Sequence, residues 1–327
     1  MNRKRYIEGI HNANRQMMRL FLIVIVFTLL VLLQAHDVMA HPGWGIVLDK
    51  RGNIYFTDVG RNIVWRIDRA GAVKPFITGK HSHQLAIDGN GTIYGEHVEY
   101  DSRNNRWLSH RWKATPDGNV TVIPEREVTP GLDLVDADGN VYLFHSDAHK
   151  REAWVWKVSP RGDTALFAGE QWGDVDGKGR TARFRNFGGV TWGPESCLYA
   201  SSGGMLRKIR RDGTVTTLLG ANKGFGDPDE PGASSILGVA TDGNGNVYAA
   251  HDGHKKLYKV DARGRVTTAL DSGPLWMPTG VAFAGNDVYV LEDRAGVNAL
   301  VSLAKLGGPR VRKISPDGTV TIMGTAK

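Results

Sequence analysis

Residues Gly169 to Gly220 read GEQWGDVDGKGRTARFRNFGGVTWGPESCLYASSGGMLRKIRRDGTVTTLLG, with four short β-type runs, GGVTW, CLYAS, LRKI and TVTTLLG, set between turns rich in Gly and Asp. Such runs, bounded by turn formers, predict antiparallel hairpins. The same four-run order recurs along the chain. A recurring unit of this size cannot bury its apolar face alone, so neighbouring copies must stack.

The copies align on a tyrosine in the second run: Tyr55, Tyr94, Tyr142, Tyr199, Tyr248 and Tyr289, spaced 39, 48, 57, 49 and 41 residues apart. Before each lies a first run (GIVLD at 45, QLAID at 84, LDLVD at 132, GVTW at 189, GVATD at 238, GVAFA at 280), and third and fourth runs follow. Between the last two runs stand turns such as Asp117-Gly118, Asp212-Gly213 and Asp317-Gly318, where glycine supplies the positive φ of a tight turn. Six units of four strands predict an all-β chain, a six-bladed β-propeller of four-stranded antiparallel blades whose closure protects the sheet edges. An open sandwich does not account for six copies with one internal order.

At 176–220 the pattern DG-x-G-x-x-A-x-F, GV, LY, LRKI, DG-x-VTTL-x-G resembles the NHL-repeat propellers (a TolB-like architecture), and 236–270 matches nearly as well. The resemblance covers roughly residues 41–327. The second unit departs with EYDSRNNRWLSHRW, expected as a surface loop or extended hairpin, and the sixth with RAGVNALVSLAKLGG. The likeness implies the fold and leaves function open, because such propellers include enzymes, receptors and scaffolds.

Ahead of the repeats, Arg3, Lys4, Arg5, Arg15 and Arg19 precede an apolar stretch from Leu20 to Leu33, and Val38-Met39-Ala40 offers small residues before His41. This reads as a secretory signal peptide over 1–40, followed by a propeller over 41–327. The chain is expected to be exported to the periplasm or outside the cell. The alternative is an uncleaved N-terminal anchor, the one expected link to a membrane, although the stretch is short for a spanning helix. One cysteine, Cys197, leaves no internal disulfide and reads as a small core residue. The formal charge is +7; without the five basic and two acidic residues of 1–40 it is 36 against 32, or +4, too mild to imply nucleic acid.

Chemistry is expected where the start of each first strand and the end of each second strand meet at one face. Three residues past the alignment tyrosines stand Asp58, His97, His145, Ser202, His251 and Glu292. The NHL-like repeat carries Asp there, so three histidines are a departure. His83 marks the start of the first strand in the second unit, and Glu96, Glu99, Asp147, His149, Asp252 and His254 lie nearby. Imidazole with carboxylate is the ligand set for zinc and similar divalent ions, and also for acid–base work near neutral pH. A polar side chain at such a point equally serves to cap a turn. Asp133 stands out because the other units place Ile, Leu or Val at that point of the inner strand.

Two propeller families sharpen the alternatives. The stretch Ser82-His83-Gln84 is similar to the zinc-bearing inner-strand element of the peptidylglycine amidating lyases, but the other units place Trp44, Gly131, Gly188, Leu237 and Thr279 there. The gluconolactonase/regucalcin propellers imply a divalent ion at the axis, for which Glu292 and Asp133 are the candidates. The first expectation is therefore a binding module or scaffold for a small molecule, peptide or protein. The alternative is a metal-dependent hydrolase, lactonase- or esterase-like, or a lyase. It would hold a zinc or calcium ion among His83, His97, His145, His251, Asp58, Asp133 and Glu292, with His83, His145 or Glu96 as catalytic groups.

Overall fold

The computed structural model describes residues 42–101, 103–104, 106–124, 129, 131–220, 235–294 and 307–327; the expected signal peptide lies outside the described residues. Blade 1 comprises Ile46–Leu48, Ile54–Asp58, Ile63–Ile67 and Val73–Thr78. Blade 2 comprises Leu85–Ile87, Ile93–Asp101, Arg106–Ala114 and Val120–Val122, and blade 3 Leu134–Val135, Val141–Asp147, Glu152–Val158 and Thr164–Gly169. Blade 4 follows with Phe187–Trp192, Leu198–Ser202, Met205–Ile209 and Thr214–Leu219, and blade 5 with Ile236–Thr241, Val247–His251, Lys256–Val260 and Val266–Asp271. Blade 6 is Trp276–Ala284, Asp287–Arg294, Arg310–Ile314 and Val320–Thr325. Each blade is an antiparallel sheet whose strands pair in sequence order. The protein is thus an all-β six-bladed propeller of four-stranded blades.

The insertion of the second unit is an extended hairpin, pairing Ile93 with Ala114 and continuing to Asp101 opposite Arg106. Second strands of blades 1, 4 and 5 are buried at all five positions, because neighbouring blades cover both their faces. The outer strand of blade 4 alternates, as a one-sided strand must. Its preceding turn needs Gly213, at φ +80°, where a side chain would also meet the Phe167 carbonyl.

The core lies between blades rather than within them. Val47, Tyr55 and Val64 of blade 1 pack on Leu85, Ile93 and Trp112 of blade 2, and Leu134, Tyr142 and Val155 of blade 3 on Leu198 and Ile209 of blade 4 together with Phe184 of the segment before it. Similar clusters join blades 4 to 5 and 5 to 6. The ring closes through Ile46, Phe56 and Trp65 packed against Leu291, Val311 and Ala326, and among the described residues no strand is exchanged between blades 1 and 6. Between blades 2 and 3 no such cluster forms among the described residues, and Val122, Val135 and Leu143 of these blades stay exposed.

Blade 4 carries a fifth strand, Gly177–Lys178, paired to its outer edge. Beside it Asp176 accepts from Arg207 at 3.0 Å and from the Thr217 amide and hydroxyl at 3.0 and 2.7 Å. Arg207 is 0% exposed and also donates to the carbonyls of Arg183 and Val175, with its guanidinium over the Phe184 ring. The repeat-like motif here therefore has a physical content: an exposed aspartate ties down a buried arginine that lies over a buried phenylalanine.

Candidate functional site

Registers place the starts of the inner strands beside the ends of the second strands in each blade: Phe187 faces Ser202, Ile236 faces His251 and Pro278 faces Glu292. Main-chain bonds then join rims between blades. The amides of Trp44 and Gly45 both donate to the His83 carbonyl at 2.8 Å, and the Phe187 amide donates to Ser146 Oγ at 3.2 Å. Inner strands approach each other through glycines. A Cβ on Gly280 would lie 2.3 Å from the Trp44 carbonyl. The axial cavity is accordingly small, about 80 Å³, lined by Trp44, Ile46, Gln84, Leu85, Gly189 and Val239 among others. That admits a few waters and falls well below the roughly 300–1,000 Å³ of a ligand pocket.

At the six rim positions, four side chains accept from a main-chain amide. Asp58 takes the Arg61 amide at 3.2 Å, His97 Nδ1 the His81 amide at 3.0 Å, Ser202 Oγ the Arg185 amide at 2.7 Å, and His251 Nδ1 the His254 amide at 3.3 Å. A main-chain N–H can only donate, so Nδ1 of both histidines is the bare nitrogen. Asp58 further binds Arg61 Nη1 at 2.9 Å and the Trp65 indole at 3.1 Å. His251, 1% exposed, lies face to face with His254 at 3.7 Å. Burial first, and then His254, pull its pKa down to about 3. His145 differs: it is exposed and stacks on Trp154 of its own blade at 4.4 Å.

Carboxylates proposed for the axis meet arginines. Asp133 is bound at both oxygens by Arg111 of blade 2, at 2.6 and 2.8 Å, and accepts the Thr129 amide. Glu292, 0% exposed, accepts from Arg310 Nε at 2.6 Å and from Arg312 Nη2. Glu96 accepts from the Ser109 hydroxyl.

Histidines gather at one place on the rim. His83 stacks on Trp44 at 5.5 Å and meets His81 edge-on at 4.9 Å; Glu99 lies 3.5 Å from His97 Nε2 and 3.7 Å from His110 Nε2. His83 and His97 are thus brought near each other through His81, whereas His145 and His251 remain with partners in their own blades. Among the described residues no three His, Cys, Asp or Glu side chains are grouped to hold one metal ion. Cys197 is buried and its thiol is pushed up, chiefly by desolvation, as suits a core residue.

Three rim features escaped the sequence reading. Asp293 follows Glu292, and burial raises its pKa, with Asp58 adding to the effect. Arg294 and Arg310 lie against the Trp276 ring, at 4.9 and 3.9 Å from its centroid. Arg111 reaches blade 3. The run YVLEDR carries two successive acids before an arginine, and of these only Glu292 occupies the repeat position three past Tyr289.

No family model matches the chain, and no curated protein matches it in sequence. Solved structures do. Luciferin-regenerating enzyme is 13% identical, with 89% of this chain and 96% of that one covered at a TM-score of 0.53. Regucalcin from Agrobacterium tumefaciens, described as a calcium-binding protein, is 12% identical over 88% and 92% at 0.52. A gluconolactonase from Xanthomonas campestris is 14% identical over 76% and 83% at 0.50. At these identities the likeness is one of fold: the chain is similar to six-bladed propellers.

Proposed function

We propose that the chain is an exported recognition module that takes a small molecule, peptide or protein on the rim bearing its inner-strand starts. The carrying observation is that four of the six rim side chains are spent on main-chain amides and a fifth, Glu292, on two arginines. The rim is thereby a fixed frame, and the narrow axis leaves recognition to its surface. Export follows from the reading of residues 1–40.

A second reading, a metal-dependent hydrolase or lyase, draws on the grouping of His81, His83, His97 and Glu99. Gluconolactonase and regucalcin show that this fold accommodates a lactonase and a calcium-binding protein. The test is bound metal and hydrolysis of lactones and aryl esters by tag-free protein from residue 41 onward. Substoichiometric metal and no turnover above buffer support the module. One zinc or calcium per chain, lost together with turnover in His83→Ala or His145→Ala, establishes the enzyme.

A further inference from the structure

We propose that the rim of blade 6 binds an anionic oxygen group, a carboxylate or phosphate carried by a ligand, at Arg294 and Arg310 against Trp276. Trp276 begins the inner strand and lies opposite Arg294 in register. Both guanidiniums rest on its ring, Arg310 at 3.9 Å and Arg294 at 4.9 Å from the centroid. Stacking fixes two otherwise flexible side chains, so less freedom is lost when an anion binds. The arginine fork suits planar carboxylates and phosphates.

The donors there exceed the acceptors. Arg310 gives Nε to Glu292, and Arg312 gives Nη2 to the same carboxylate. The Arg294 guanidinium has no hydrogen-bond acceptor among the described residues, and its Nε is buried without a partner. Arg61 is matched by Asp58. Asp293, the remaining carboxyl, accepts the Arg294 amide at 2.7 Å, and burial raises its pKa, so Arg294, Arg310 and Arg312 stand as three cations against the two carboxyls Glu292 and Asp293. Positive charge is therefore left over beside an aromatic platform on the rim.

The site deepens the recognition reading, on whose rim it lies, by naming the chemistry of the ligand. The two fail separately: metal with turnover would end that reading, and the anion titration alone decides this one. Tag-free protein from residue 41 onward is titrated calorimetrically with inorganic phosphate and with citrate at constant ionic strength. Saturable binding is expected, weakened about tenfold or more in Arg294→Gln and unchanged in Arg265→Gln, on an outer turn of blade 5. Arg294→Lys keeps charge and stem but loses the fork, and is expected to bind more weakly than wild type even if the glutamine variant fails to fold. Phosphate alone binding assigns phosphate esters, citrate alone carboxylates. No saturable binding of either, or unchanged affinity in both Arg294 variants, overturns the site.

Discussion

Asp133 holds Arg111 with both carboxylate oxygens across the seam between blades 2 and 3, where no apolar cluster forms among the described residues. The ion pair takes the place that the other blades give to Ile, Leu or Val. Removing one partner strands a buried charge, since the Asp133 side chain is 7% exposed. Arg111→Ala is expected to cost about 3 kcal/mol in urea unfolding, and Arg111→Met with Asp133→Leu to recover most of it. Hydrogen exchange should be fastest along this seam. A loss under about 1 kcal/mol would make the pair a surface bridge.

Acid should weaken the fold through His251. Its imidazole titrates near 6.5 when unfolded and about 3 when folded, so the unfolded chain takes the proton first. The stability involved is fully present above pH 6.5 and is lost as pH falls toward 3. His254, also lowered by burial, acts in the same direction. Unfolding free energy is expected to be roughly 2–3 kcal/mol smaller at pH 4.5 than at pH 7 relative to His251→Gln, which lacks the titration. Equal slopes in the two proteins would contradict a buried neutral His251.

Glu292 serves two arginines, so Glu292→Leu leaves both Arg310 and Arg312 without their carboxylate. Thermal and urea unfolding should show a loss of about 3–5 kcal/mol with or without added calcium. A loss seen only when calcium is present would instead mark Glu292 as an ion ligand.

The blade count was legible because the order of runs repeats and each tyrosine lies in a second strand. The insertion of the second unit was legible as a loop or a hairpin, and the pairing out to Asp101 and Arg106 selects the hairpin. The destinations of the polar side chains were not legible. His97 and His251 share a repeat position with Asp58, but His97 accepts an amide from the approach to its inner strand and His251 one from the turn that follows it. Asp133 reads as an oddity in its own strand, and only the packing of blade 2 reveals Arg111. Asp293 and Arg294 adjoin in sequence, but Trp276 stands 18 residues before Arg294, and only strand register sets the two side by side.

The Asp176–Arg207 pair tests the motif itself. Asp176→Ala should cost about 1–3 kcal/mol, because the fully buried Arg207 loses its carboxylate while keeping the Arg183 and Val175 carbonyls. Combining it with Arg207→Met should restore much of the loss, as an apolar side chain replaces the buried guanidinium. An additive double variant would show that Asp176 acts through Thr217 alone.

The fixed frame of the rim rests on His97 and His251 accepting main-chain amides through bare Nδ1 atoms. Two-bond nitrogen–proton correlation spectra of the imidazoles at pH 7, with and without one equivalent of zinc, test it most directly. Bare Nδ1 and protonated Nε2 are predicted at His97 and His251, with neither ring shifted by zinc. Zinc-induced shifts at both rings, or a protonated Nδ1 at either, would contradict it.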